Sequence, residues 1–317
     1  MRIVSLLPSA TEIVYALGLG GELVGRTHEC DFPPESASVP IMTADVGGSP
    51  TESGRDIHLR VAGAVHGGSS LYRLDSEALA AARPDLILTQ ELCDVCAVSY
   101  REVTQAVREI GRATGAETSV VSLEPTSVEG ILNTISTVGA MAEAEDEAVG
   151  LIEILRERLG AIENRVLERR LSGLRPRRVV CLEWLDPPFA AGHWVPEQVR
   201  RAGGWDLLGT EGERSRETTW DAVREVDPER LMLMPCGFDT TGTADEFERM
   251  SRPDWFDDLG AVRRGEVFAL DGSGYFSRPG PRIIDGIALL AELFDPEGFV
   301  DVAPPEAWVP VGPAYPR

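Results

Sequence analysis

Apolar and polar positions over residues 1–126 follow two alternating rhythms. "RIVSLL" (2–7), "ELVGRT" (22–27), "DLILTQ" (85–90) and "TSVVSL" (118–123) are short apolar runs of the kind that make buried strands. Between them, "SATEIVYALGLG" (9–20), "DSEALAAARP" (75–84) and "SYREVTQAVREIGRATG" (99–115) carry the apolar stripe of amphipathic helices. Pro8 turns the first strand into a helix capped near Ser9, "DFPPE" (31–35) is a stop, and Gly115 closes the third helix. The Gly- and Ser-rich stretch from Thr43 to Ser70 has a weak helical centre and reads as a surface excursion. Short strands separated by helices predict parallel βαβ units.

From Ser127 to Leu171 the rhythm is helical throughout, with no proline and with charges on alternate faces. Its second part, Glu143 to Leu171, predicts a single helix on the order of 40 Å long. "SGLRP" (172–176) breaks it, and "RRVVCLEWL" (177–185) opens a second alternating series. That series echoes the first. "LDSEALAAARPDLILT" (74–89) and "WDAVREVDPERLMLM" (220–234) share an acidic helix start, a short helix, a proline turn and an apolar strand, and "DFPPE" is matched by "DPPF" (186–189). The expected fold is α/β: two Rossmann-like lobes with parallel sheets, 1–126 and 173–317, joined by one long backbone helix within 127–172. A cleft between two such lobes is where a ligand is expected.

Composition narrows the function. Acidic residues outnumber basic ones 52 to 30, for a formal charge of −22, which argues against nucleic acid and anionic membrane as partners. All 30 basic residues are arginine, so Schiff-base, P-loop and kinase-type lysine chemistry is excluded. No GxSxG, HExxH or Gly-rich phosphate loop is present, and no catalysis is expected. No apolar run is long enough to span a bilayer. Pro8, Ser9, Thr11 and Glu12 interrupt the N-terminal run, which therefore reads as strand and helix rather than as a signal peptide. As given, the chain reads as cytoplasmic; a different true N-terminus would make it periplasmic or cell-surface. A monomer is expected.

Five segments carry a family resemblance: "RIVSLLPSATEIVYALG" (2–18), "VGRTHECDFPPE" (24–35), "LYRLDSEALAAARPDLILTQ" (71–90), "PPFAAGHWVPEQVRRAGG" (187–204) and "GYFSRPGPRIIDGIALLAELF" (274–294). Their order and the long helix between them resemble the helical-backbone periplasmic-binding-protein family for cobalamin, haem and iron-siderophores, most closely its cobalamin-binding branch. The resemblance implies a first-lobe wall of Pro8, Ser9, His28, Glu29, Tyr72 and Gln90 with the "ELCDVC" turn that holds Cys93 and Cys96. It implies a second-lobe wall of Trp184, His193, Trp194, Tyr275 and Phe276. A corrin is a wide apolar plate with amides on its rim, and flat aromatic walls with a few hydrogen-bonding groups suit it. For Trp184 and Trp194, packing between elements competes with a ligand role.

The resemblance further implies docking to an ABC permease through an acidic residue on each lobe, here Glu77 and Asp221. The competing reading of both is a helix N-terminal acid favoured by the dipole. His58 and His66 match no role in the family and read as exposed.

The thiols leave alternatives open. Cys93 and Cys96 fit the lining of a ligand pocket, half of a zinc site completed by Cys30 and His28, or a redox pair ahead of a helix. Cys181, inside an apolar run, reads as core. Three functions follow: non-catalytic binding of cobalamin or a related corrinoid for transport or intracellular handling; haem or ferric-siderophore binding, with Arg26, Arg73 and Arg278 available for an anionic chelate; or a cysteine-based metal or redox protein.

Overall fold

The N-terminal apolar run forms β1 (Ile3–Ser5), fully buried, and α1 (Pro8–Ala16) starts after two intervening residues. Leu7, extended and with no side chain able to cap, is the residue before the helix, so Pro8 at the first helical position sets the start by its fixed φ. Ser9, expected as the cap, lies inside the first turn and is buried. The computed structural model describes residues 1–47, 52–67, 72–90, 100–114 and 117–312. It divides into two compact units, the first made of Met1–Glu52, Leu59–Pro125 and Glu129–Ile154, the second of Ser53–His58, Thr126–Val128 and Leu155–Arg317.

In the first unit β2 (Leu23–Arg26) follows α1. The Thr43–Ser70 stretch is more ordered than its composition suggests, forming β3 (Thr43–Asp45) and α2 (Gly54–Gly67). Next come β4 (Tyr72–Leu74), α3 (Ser76–Ala82), β5 (Leu86–Thr89), α4 (Tyr100–Thr114) and β6 (Ser119–Ser122). The sheet order is β2-β1-β5-β6 and every pairing is parallel, while β3 and β4 form a separate antiparallel ribbon. Val4, Leu6, Met42, Leu74, Leu79 and Ile87 make its core.

The helical stretch is two helices, α5 (Val128–Met141) and α6 (Glu145–Leu171). The chain turns between them at Glu143, whose φ is +56°. With 27 residues, α6 is about 40 Å long. Glu145, Asp146 and Glu147 fill its first turn and Arg169 and Arg170 its last, which matches the helix dipole at both ends. The boundary between the units falls within α6, so this helix links them along the chain.

The second unit opens with β7 (Arg177–Leu185), then β8 (Pro188–Ala190), α7 (Val195–Arg201), β9 (Gly204–Asp206), β10 (Arg216–Glu217), α8 (Trp220–Val226), β11 (Arg230–Leu233) and α9 (Thr240–Arg249). It closes with α10 (Gly260–Arg263), β12 (Val267–Leu270), α11 (Gly272–Tyr275), α12 (Ile283–Phe294) and β13 (Trp308–Pro310). Its sheet is mixed where an all-parallel one was expected. β9, β7, β11 and β12 are parallel, and antiparallel β8, β10 and β13 are added at the sides. Short hairpin connections such as that from β7 to β8 permit antiparallel neighbours that a crossover helix would not.

The repeat seen in the sequence is a repeat of topology. Taken in chain order, the parallel strands of each unit lie 2-1-3-4 across the sheet. The third strand is introduced the same way in both. Asp75 caps α3 by accepting from the Ala78 amide, and Thr219 caps α8 by accepting from that of Ala222. Each helix then ends on a left-handed residue, Arg83 (φ 45°) or Asp227 (φ 41°), just before Pro84 or Pro228.

The last turn of α6 is tied down by a forked ion pair. Arg169 Nε and Nη2 donate to Asp295 Oδ2 and Oδ1 at 2.5 and 2.9 Å, and the Asp295 side chain is almost fully enclosed. The Arg169 guanidinium, with the Gly298 amide, holds the Asp295 carboxyl below the usual carboxylate range. A depressed acid adds stability above its unfolded pKa of about 3.9 and loses it as pH falls through the lower folded value. Asp295→Asn is therefore expected to lower unfolding free energy by about 2 kcal/mol at pH 7. In denaturant melts the gap to wild type should narrow as pH falls below the unfolded pKa of the acid. A gap that stays constant with pH would show that the pair contributes nothing through its charge.

Candidate functional site

In an open parallel sheet of order 2-1-3-4, the loops leaving the first and third strands diverge to opposite faces. The carboxyl ends of those two strands therefore border a crevice where ligands bind. In the first unit the strands are β1 and β5. Pro8 and Ser9, at the start of α1, leave β1; half-buried Gln90 leaves β5. Cys93 and Cys96 lie outside the described residues.

His28 and Glu29 follow β2, and Tyr72 begins β4. These three come together. His28 Nδ1 lies 2.8 Å from Thr43 Oγ1, its backbone amide donates to the same oxygen at 3.1 Å, and its ring centre is 5.1 Å from that of Tyr72. Nε2 is 3.2 Å from Glu29 Oε1, at an angle that makes no hydrogen bond, and so remains a buried nitrogen without a hydrogen-bond partner. The ring is thus fixed through one nitrogen and keeps the other in reserve. Arg26, considered for an anionic chelate, is committed elsewhere. It is buried, and its guanidinium donates to the carbonyls of Thr27, Cys30 and Ala37 at 3.1, 3.0 and 3.4 Å. The Cys30 sulfur is likewise buried, 3.0 Å from Thr11 Oγ1.

In the second unit the strands at the switch are β7 and β11. Trp184 stands near the end of β7 and packs edge-on against Phe238, past the end of β11, with ring centres 5.8 Å apart. Its cross-strand partner on β8 is Phe189, which shares its face of the sheet. The Trp184 indole N–H is buried and has no hydrogen-bond partner. Phe189 and Phe238 were not singled out in the sequence, where a phenylalanine after a strand looks like any other core residue.

Beneath Trp184, the neighbouring Glu183 acts as a staple. Its carboxylate accepts from the Gly192 amide at 3.1 Å and from the Ser215 hydroxyl. Gly192 is required here, because a Cβ would sit 2.3 Å from Ser215 N and 2.6 Å from Glu213 O. The staple presents His193, which holds a left-handed backbone (φ 51°) unusual for its type. Its Nδ1 is buried without a partner, and burial, then the nearby Arg214, pushes the imidazole below its usual range. Tyr275, at the end of α11, is half-buried under the Arg282 guanidinium, 5.6 Å from the ring centre. Trp194 and Phe276 lie inside the unit, at 6% and 1% exposure, and the Trp194 indole donates to the Phe276 carbonyl at 2.8 Å.

Glu77 and Asp221 occupy the same second helical position in α3 and α8, and both are exposed. His58, expected to be exposed, is half-buried with its ring 5.8 Å from that of Phe189. The described part of α2 gives no account of the His66 side chain. Among the described residues, no three His, Cys, Asp or Glu side chains gather as a metal site would need, and no helix is long and apolar enough to cross a membrane.

The arrangement is one of aromatic walls and orphaned polar atoms. The chain belongs to the periplasmic binding protein family, whose profile matches residues 3–273. It is 25% identical over 301 residues to an uncharacterized ABC transporter substrate-binding lipoprotein of Bacillus subtilis, covering 94% of this chain and 81% of the relative. The periplasmic vitamin B12 binding protein of Vibrio cholerae has the same fold, with TM-score 0.66 and 20% identity over 93% of this chain and 96% of that one. So does a periplasmic heme binding protein from Pseudomonas aeruginosa, with TM-score 0.68 and 20% identity over 93% of each chain. The family and these neighbours are solute-binding proteins, not enzymes.

Burial raises the Glu183 carboxyl to about 7, against the lowering effect of its two hydrogen bonds. An acid raised in the folded state costs stability as pH climbs from its unfolded pKa, about 4.3, to its folded one, because the unfolded chain ionises first. Glu183→Gln keeps the acceptor for Gly192 and removes that cost. The variant is expected to match wild type near pH 4 and to exceed it by up to about 3 kcal/mol at pH 8 in denaturant melts. Equal stability at both pH values would refute the buried-acid assignment.

Proposed function

We propose that the protein binds cobalamin or a related corrinoid non-covalently, as the substrate-binding component of an ABC transporter. The observation that carries this reading is the run of rings at the carboxyl ends of β7 and β11, Trp184 with Phe189 and Phe238, together with an indole N–H that has no partner. Flat apolar rings suit a macrocyclic plate, and an orphaned donor suits an amide carbonyl on its rim. Tyr275 and His193 extend that surface in the second unit; His28, Glu29, Tyr72, Pro8 and Gln90 furnish the surface of the first, with the buried Ser9 behind it. Trp194 and Phe276 support it from beneath.

Haem is the second reading. It is favoured by His28 and His193, because His193 Nδ1 has no hydrogen-bond partner and His28 Nε2 has only the Glu29 carboxylate, 3.2 Å away and not hydrogen-bonded, so that either imidazole could offer a nitrogen to a metal centre. The permease partner is read from Glu77 and Asp221, exposed at matched positions of the repeat. If they dock, Glu77→Arg with Asp221→Arg should leave ligand affinity unchanged and abolish stimulation of the cognate permease's ATPase. Retained stimulation would remove both residues from the docking surface.

The deciding experiment is titration of the purified protein with cyanocobalamin, hydroxocobalamin, haem and a ferric hydroxamate, followed by absorbance. Saturable uptake of the cobalamins is expected, and uptake of haem alone would replace the first reading by the second. Trp184→Ala and Tyr275→Ala should each weaken cyanocobalamin binding by about 1–3 kcal/mol, the scale of a lost aromatic contact. Unchanged affinity in both, with melting curves like those of wild type, would dismiss the aromatic wall.

A further inference from the structure

The segment Ser53–His58 is placed in sequence among the elements of the first unit, yet it belongs by packing to the second. Three interactions hold it there. The Gly54 amide, at the first residue of α2, donates to Glu246 Oε1 on α9 at 2.9 Å, a hydrogen bond shielded from solvent. Glu246 is only 2% exposed, and its other oxygen has no partner. Gly54 fits closely against it, since a Cβ would fall 2.4 Å from Glu246 Oε1. One residue on, Arg55 Nη1 lies 3.5 Å from Asp186 Oδ1, in the turn between β7 and β8, and Asp186 Oδ2 also accepts from the Ser251 amide at 3.4 Å. Finally, one turn along α2, His58 sets its ring against Phe189, the cross-strand partner of Trp184. His58, Phe189, Trp184 and Phe238 thus follow one another from α2 across β8 and β7 to the end of β11.

We propose that the first turns of α2 are a latched addition to the ligand surface of the second unit, and that His58 is a ligand-contacting, specificity-determining residue placed there by the Gly54–Glu246 hydrogen bond. The inference rests on the reading of Trp184 and Phe238 as a wall for a flat metal chelate. The imidazole adds a polar edge to an apolar row, and Arg55, 63% exposed on its side chain, adds a cation beside it. Such an edge favours a plate whose rim bears hydrogen-bonding or anionic groups over a bare aromatic one.

The test uses the full chain and whichever of cyanocobalamin and haem wild type binds, with four variants. His58→Ala is expected to weaken binding about fivefold or more. Gly54→Ala should weaken it similarly and speed amide exchange across residues 53–58, because its methyl group cannot share space with the Glu246 carboxylate. Glu246→Gln keeps an acceptor for the Gly54 amide and should bind like wild type, which separates loss of the latch from loss of charge. Trp184→Ala reports on the wall itself. Weak binding in Trp184→Ala with wild-type affinity in both His58→Ala and Gly54→Ala would overturn this inference and leave the ligand reading standing. Unchanged binding in Trp184→Ala and His58→Ala alike, or failure of wild type to bind either probe, would end both.

Discussion

Everything proposed for this protein depends on the crossover constraint of parallel strands. A parallel pair cannot be closed by a hairpin; the chain must return over one face of the sheet. In each unit the second parallel strand is added on one side of the first and the third on the other. The loops leaving the first and third strands therefore part at their carboxyl ends, and no backbone fills the space there. The groups stationed at these ends are Pro8, Ser9 and Gln90 in one unit and Trp184 and Phe238 in the other.

Placing functional groups at such ends has an energetic consequence. Buried polar atoms normally find partners. Here His28 Nε2, Trp184 Nε1 and His193 Nδ1 do not, and all three belong to residues at or just beyond strand ends. His193 also holds a left-handed backbone, and the staple beneath it uses a carboxylate that burial has raised to about 7. Asp206, in the same unit, is raised to about 6 for the same reason. Local conflict of this kind stands out in a fold that is otherwise consistent. The rest of the fold supplies that consistency through capped helices, the dipole-matched α6 and the Arg169–Asp295 fork.

How far the sequence could be read depended on the range of the interaction concerned. The strand "RRVVCLEWL" is β7 residue for residue, and α6 begins within two residues of its expected start, because period and capping are local properties. Even the repeat was visible, since a cap, a seven-residue helix, a left-handed exit and a proline recur in both units. Mispredictions began where a distant element decided the outcome. The second sheet acquired antiparallel strands through short turns that carry no strong signal, and the weak helical centre of the Gly- and Ser-rich excursion is α2, whose first amide donates to the enclosed Glu246.

Trp184 and Trp194 show the limit most plainly. Both are tryptophans that the family resemblance assigned to the ligand. Only the tertiary structure brings the Phe276 carbonyl, 82 residues away in sequence, to the Trp194 indole, which buries that ring, and leaves the Trp184 indole unpaired. Arg26 and His58 part in the same way, the arginine turned inward to three carbonyls and the histidine set against Phe189. By itself the sequence determined the class of fold, the order of its elements and the exclusion of lysine chemistry, because periodicity, capping and composition reside in neighbouring residues. Which rings are enclosed and which ring nitrogens are left without a hydrogen bond was decided by the tertiary structure alone, because that depends on partners that only folding brings within hydrogen-bonding distance.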